Sequence, residues 1–160
     1  MPIRSILIAN RGEIAIRIAR AAADLGLRAV TLASQDDAQA LHSRAGEACH
    51  ALPGTGPAAY LDGQAVIEAA RATGCDAIHP GYGFLSENAG FAAACAEAGL
   101  VFIGPEAATL SRLGDKSAAR ALAAELGVPL LPGLPGGADV EAVRAFVEDH
   151  GPTMIKAVAG

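Results

Sequence analysis

The run His79-Pro80-Gly81-Tyr82-Gly83-Phe84-Leu85-Ser86-Glu87-Asn88 gathers an imidazole, a phenol, a hydroxyl and a carboxylate around two glycines and a proline. Apolar Ala77-Ile78 precedes it and an Ala-rich helical stretch, 89–98, comes after it. It therefore reads as a strand-to-helix connection whose backbone is forced into irregular conformations. Ser86 is placed to cap the next helix, with Glu87 in its positive first turn. In open α/β sheets the carboxyl edge of the strands is where ligands bind. A plain connection needs a glycine and a cap, whereas this one also exposes polar side chains and bare amides.

Two lysines stand where structure alone gives little reason for them. Lys116 comes after Gly114-Asp115 in the first turn of a helix, an end that disfavours cations. Lys156 lies in Met154-Ile155-Lys156-Ala157, which reads as an apolar strand. Burying its ammonium unpaired costs several kcal/mol, roughly, so it must reach solvent or meet an anion. Arg17, Arg20 and Asp24 recur at i, i+3 and i+7 and share one helix face. The turn Ala9-Asn10-Arg11-Gly12-Glu13-Ile14-Ala15 has one of the three glycines that a dinucleotide fingerprint needs. Glu13 also puts negative charge where a diphosphate sits, so no dinucleotide is expected there.

The remaining composition mostly excludes. Cys49, Cys75 and Cys95 are odd in number and form no CxxC, so they are expected to be buried thiols in a reducing cytoplasm. The four histidines show no metal-ligand spacing, and no metal site is expected. A net charge of −5 without a basic run argues against nucleic-acid binding. No apolar run approaches the ~20 residues that span a membrane. The chain enters its first strand without a signal or transit peptide, which favours the cytoplasm.

The elements that must position these residues alternate. Strands are expected at 5–10, 27–33, 48–52, 75–78 and 100–103. Helices are expected at 13–25 (apolar stripe Ile14, Ile18, Ala21, Leu25), 38–44, from Asp62 to 72, and 87–98, with a Pro/Gly loop at 53–57. This is an α/β, doubly wound, Rossmann-like parallel sheet. After Gly104-Pro105 the pattern changes to helices at 106–113 and 115–126, a strand at 128–131, a helix from Asp139 to 149 and a strand at 152–158. The last ~30 residues are too few to bury a core of their own.

Taken together, Ile8-Ala9-Asn10-Arg11-Gly12-Glu13-Ile14-Ala15, Arg17-Ile18-Ala19-Arg20, His79 to Asn88, Phe102-Ile103-Gly104-Pro105 and Gly114-Asp115-Lys116 resemble the amino-terminal part of biotin carboxylase. That is the ATP-grasp component of acyl-CoA carboxylases and pyruvate carboxylase. The resemblance implies a pre-ATP-grasp, Rossmann-like domain at 1–113, a linker helix at 114–127 and the incomplete start of an ATP-grasp domain at 128–160. It also implies a half-reaction in which ATP and bicarbonate form carboxyphosphate, Mg2+ neutralises the phosphates, and biotin on a carrier domain is carboxylated. A carboxyltransferase then passes the carboxyl group on.

By the same resemblance, Lys116 and Lys156 bind ATP phosphates; a lysine suits this as a mobile point charge. The loop faces biotin, with Tyr82 by the ring and the Gly83 amide at the ureido group, while His79 and Glu87 shape the loop. Arg17, Arg20 and Asp24 contribute to a homodimer, where Asp24 replaces the commoner glutamate. Asn10, Arg11 and Glu13 are expected to pack the sheet edge against the catalytic domain. The acidic metal ligands, the bicarbonate site and the catalytic base have no counterpart in this sequence, so the 160 residues alone are expected to be inactive. Two alternatives stay open: another ATP-grasp ligase, such as a carbamoyl-phosphate synthetase-like enzyme, or a non-catalytic dimerisation module. The final acceptor also stays open among acetyl-CoA, propionyl-CoA, other acyl-CoAs, pyruvate and urea.

Overall fold

The structure, a computed structural model, describes residues 2–156. It divides into two compact units, with the division after Leu110. The first unit contains β1 (Ser5–Ile8), α1 (Gly12–Asp24), β2 (Arg28–Ala33), β3 (Ala48–Ala51), α2 (Gly56–Leu61), α3 (Gly63–Ala72), β4 (Ala77–His79), α4 (Ala89–Glu97) and β5 (Val101–Phe102). The five strands form one sheet in the order β3-β2-β1-β4-β5, and every pairing is parallel.

Alternation along β1 explains why helices cover both faces. Ile6 and Ile8 point to one side, where they pack with Ala15, Ile18, Ala19 and Ala22 of α1. Leu7 points to the other side, into a larger core with Val66 and Ala70 of α3 and Phe91 and Cys95 of α4. A strand buried on both faces has no polar positions to alternate, which is why β1 reads as a continuous apolar run. The buried stripe of α1 lies beside the expected one, because Leu25 is 74% exposed and alanines face the sheet. Small side chains let the helix sit close to the strands.

At the amino ends of the strands, Asp76 Oδ2 accepts hydrogen bonds from the backbone amides of Arg4 and Ser5, at 2.9 and 3.0 Å. This ties β4 to β1 at the end away from the chemistry-bearing loop.

Several local expectations change. The helix expected at 38–44 is two 3-10 turns, Gln35–Asp37 and Leu41–Arg44, separated where Ala40 is extended. Part of the loop expected at 53–57 begins α2, whose Pro57 stands in the first turn, the one place where proline's missing amide costs nothing. Cys75 and Cys95 are buried, but Cys49 is exposed because β3 is an edge strand with outward-facing side chains.

α5 (Ala107–Leu113) spans the division between the units. The second unit contains α6 (Lys116–Glu125) and α7 (Val140–His150), capped by Asp115 and Asp139 as their sequences suggest. Residues 128–131 and 152–156 form no strand. A strand is held by the backbone of a neighbour, and no ladder partner occurs for them among the described residues. Residues 157 and 158 of the second expected strand lie outside the described residues. No helix among the described residues is long and apolar enough to cross a membrane.

Candidate functional site

In a sheet of order 3-2-1-4-5 the chain winds in opposite directions from β1 and from β4. Their carboxyl ends therefore leave a crevice, the usual ligand position in such folds. The segments leaving β1 and β4 meet there. Asn10, just past β1, is 2% exposed. Its amide nitrogen donates to the carbonyls of Pro80 at 2.7 Å and Tyr82 at 2.8 Å, and its Oδ1 accepts from the Arg11 amide at 2.9 Å. A side chain of the protein itself thus links the two segments across the crevice.

The loop after β4 is held at several further points. The His79 Nδ1 accepts from the Gly81 amide at 3.1 Å, a bond that needs a deprotonated ring nitrogen. Burial pushes the His79 pKa down and so favours that form. Gly81 has φ +68°, and a Cβ there would stand 2.7 Å from the Asn10 amide nitrogen. Both the backbone conformation and the close approach require glycine. Phe84 adopts φ +44°, rare for a residue with a side chain. Its ring packs 5.5 Å from that of Tyr60, and Leu85 beside it is 3% exposed. Apolar anchoring of Phe84 and Leu85 offsets the backbone strain, which is of order 1–3 kcal/mol.

Between these anchors Tyr82 stays 60% exposed, and Gly83 is exposed too. The Tyr82 hydroxyl donates to Glu13 Oε1 at 2.6 Å. That bond, followed by the Glu13 charge and slight burial, raises the phenol pKa above its ordinary value. A flat ring and an adjacent amide-bearing turn are therefore presented on a braced backbone. Such a surface suits a flat, largely apolar ligand with one polar edge.

Two expectations about this loop are corrected. Ser86 does not cap α4: Asn88 does, its side chain accepting from the Phe91 amide at 2.9 Å. The residues before Asn88 are taken up in turns, with the Ser86 amide donating to the Gly83 carbonyl and the Asn88 amide to the Leu85 carbonyl. Glu87 consequently lies outside the helix, exposed, and makes no hydrogen bond or ion pair among the described residues.

Asn10, Arg11 and Glu13 are occupied as well. All three bond inside the first unit. Arg11 pairs with Asp37 at 2.9 Å and lies 5.9 Å from the centre of the Tyr60 ring. Asp37 in turn accepts from the Tyr60 hydroxyl at 2.9 Å. The sequence signal for this role was the motif's polar residues directly after a buried strand. What could not be seen was that Asn10 and Glu13 face the loop some seventy positions later, while Arg11 turns to Asp37.

Arg17, Arg20 and Asp24 share the exposed face of α1, where they line a shallow groove with Glu13, Ile16 and Ala21. Lys116 is exposed at the first position of α6, directly after its Asp115 cap, and Lys156 is exposed. Both lysines belong to the second unit. Among the described residues no group of three or more His, Cys, Asp or Glu side chains converges as a metal site.

Comparison with known proteins agrees with this architecture. Residues 2–110 match the family described as the biotin carboxylase N-terminal domain. The chain is 47% identical over 161 residues to the biotin-dependent acyl-coenzyme A carboxylase alpha3 subunit of Mycobacterium leprae, an alignment covering 99% of this chain and 27% of that protein. It superposes on the biotin carboxylase domain of a single-chain bacterial carboxylase with a TM-score of 0.85 at 52% identity, over 92% of this chain and 34% of that one. The biotin carboxylase domain dimer of Hydrogenobacter thermophilus 2-oxoglutarate carboxylase, in complex with MgADP, ADP and bicarbonate, gives a TM-score of 0.86 at 35% identity, over 100% of this chain and 36% of that one. The chain thus spans between about a quarter and about a third of the length of these relatives.

Proposed function

The chain belongs to the biotin carboxylase N-terminal domain family, and from that premise we propose that it forms the amino-terminal part of an ATP-dependent biotin carboxylase. The observation that carries the assignment to the site is the braced loop, which presents Tyr82 and Gly83 at the switch point of the sheet. In this reading the Tyr82 ring lies against the bicyclic ring of biotin, the Gly83 amide donates to the ureido group, and His79 keeps the turn in shape. Glu87, which makes no bond within the described residues, is free to meet a neighbouring segment of the enzyme.

Lys116 and Lys156 bind the phosphates of ATP. Both are exposed, so neither pays to strip its charge of water before the nucleotide arrives. A bicarbonate oxygen takes the terminal phosphoryl group and ADP leaves. Carboxyphosphate then breaks into carbon dioxide and phosphate, and the ureido nitrogen of biotin gives up its proton and bonds to the carbon dioxide, the proton leaving with phosphate. Mg2+ supplies charge neutralisation at the phosphates. No metal step is assigned to the residues of this chain, and no catalytic acid or base is placed among them.

Residues 114–127 are read as a linker helix and 128–160 as the start of the ATP-grasp domain, with catalysis requiring segments beyond these 160 residues. Arg17, Arg20 and Asp24 lie on a homodimer face, and a biotin carboxyl carrier and a carboxyltransferase complete the cycle in the cytoplasm. The M. leprae and H. thermophilus relatives differ by name in what they carboxylate, an acyl-CoA and 2-oxoglutarate, so likeness to them does not name the acceptor.

The test separates the two ligands in the intact polypeptide that carries this sequence. Tyr82→Ala is expected to raise the free-biotin concentration for half-maximal ADP release by about tenfold, roughly 1.4 kcal/mol of lost binding, with the ATP dependence unchanged. Lys116→Ala is expected to do the reverse. An equal effect of both variants on both ligands contradicts the assignment.

A further inference from the structure

We propose that Asn10 and Glu13 are positioning residues for the ligand-contacting loop, Asn10 fixing its backbone and Glu13 its phenol; this rests on the reading of that loop as the biotin surface. Neither residue touches the ligand itself. The loop enters the crevice from β4, whereas both braces come from the β1 side, Asn10 before α1 and Glu13 in its first turn.

The amide of Asn10 is chemically specific to the task. It commits its N–H donors to two carbonyls of the loop on the far side of the crevice, Pro80 and Tyr82. An aspartate would aim a carboxylate oxygen at those carbonyls, and an apolar residue would leave them without this donor. The glycine at 81 is what allows the amide to come so near, since a Cβ would stand 2.7 Å from its nitrogen.

Glu13 works on the exposed side. Its carboxylate takes the Tyr82 hydroxyl at 2.6 Å and so limits rotation of a ring whose body is left open to solvent. An exposed bond of this kind adds little to the stability of the fold. Its conspicuous effect is to set the direction of the ring, and an aromatic platform held in one orientation binds without first losing that freedom.

The experiment uses the intact polypeptide. Glu13→Ala is expected to leave the melting temperature unchanged and to bring the Tyr82 phenol down toward its ordinary pKa, read as the ultraviolet difference between Glu13→Ala and Glu13→Ala/Tyr82→Phe. It is also expected to raise the half-saturating concentration of free biotin by about three- to tenfold without changing that of ATP. Glu13→Gln, which keeps an acceptor but loses the charge, is expected to lower the phenol pKa and yet restore most of the biotin dependence. Asn10→Ser, measured in parallel, is expected to raise the biotin requirement as well. If Tyr82→Ala weakens biotin while Glu13→Ala and Asn10→Ser leave it at the wild-type value, the positioning proposal is wrong and the loop's assignment stands. If Tyr82→Ala leaves the biotin dependence untouched, the loop's assignment fails and the proposal fails with it.

Discussion

His79 and His42 sit where a proton opposes the fold. The His79 Nδ1 must be bare to accept the Gly81 amide. His42 is 2% exposed, with its Nε2 3.3 Å from the Tyr60 hydroxyl. Burial pushes both imidazoles below the usual 6.5; at His42 the Asp37 carboxylate pulls the other way, but burial leads. The unfolded chain therefore takes up these protons first. The stability that the neutral rings contribute is complete above pH 6.5 and is lost as the pH falls through their folded-state values. The melting temperature is expected to be lower at pH 5.5 than at pH 7.5, checked by thermal unfolding across that range; a flat profile or a rise toward acid contradicts it. At this scale the sequence singled out residues that the structure gathers at the crevice, and often gave them the wrong neighbours. His79, Tyr82 and Gly83 announced themselves by type and by the glycines around them. Asn10 and Glu13 stood in an equally conspicuous motif, but their partner loop lies seventy positions away, and no local rule connects β1 to β4.

The helices were legible wherever a short polar side chain could take up a bare amide. Asp62 accepts from the Ala65 amide at 3.0 Å, and Asp115 and Asp139 make the same bond to Ala118 and Ala142 at 2.7 and 2.8 Å. Asp62→Ala is expected to cost about 1 kcal/mol of stability and Asp62→Asn much less, measured by denaturant unfolding. No loss in the alanine variant contradicts a capping role. The start of α4 misled because Ser86 and Asn88 are both good caps two positions apart, and the turns anchored by Leu85 decide between them. Strands were harder. β1 and β2 form a ladder, and their apolar runs end at polar Asn10 and Ser34, but residues 128–131 and 152–156 carry similar apolar runs without a ladder. An apolar run supplies the faces of a strand, whereas the strand itself depends on a neighbour's backbone.

Across the whole molecule, the order β3-β2-β1-β4-β5 turns a set of ordinary βα units into a site, because the crevice between β1 and β4 exists only once the chain reverses its winding. Doubly wound topology was readable from the alternation of elements. The position of the loop within it was set by which strand precedes the loop. The family match, over residues 2–110, rests on this same unit, while the superposition on a biotin carboxylase domain covers 92% of the chain. The polypeptide built on it is proposed to carboxylate biotin. Supplying the intact polypeptide with ATP, Mg2+, free biotin and carbon-labelled bicarbonate tests this most directly. Acid-labile label in biotin, formed in step with ADP, is the expected result; release of ADP that leaves biotin unlabelled, with the label in another acceptor, contradicts it.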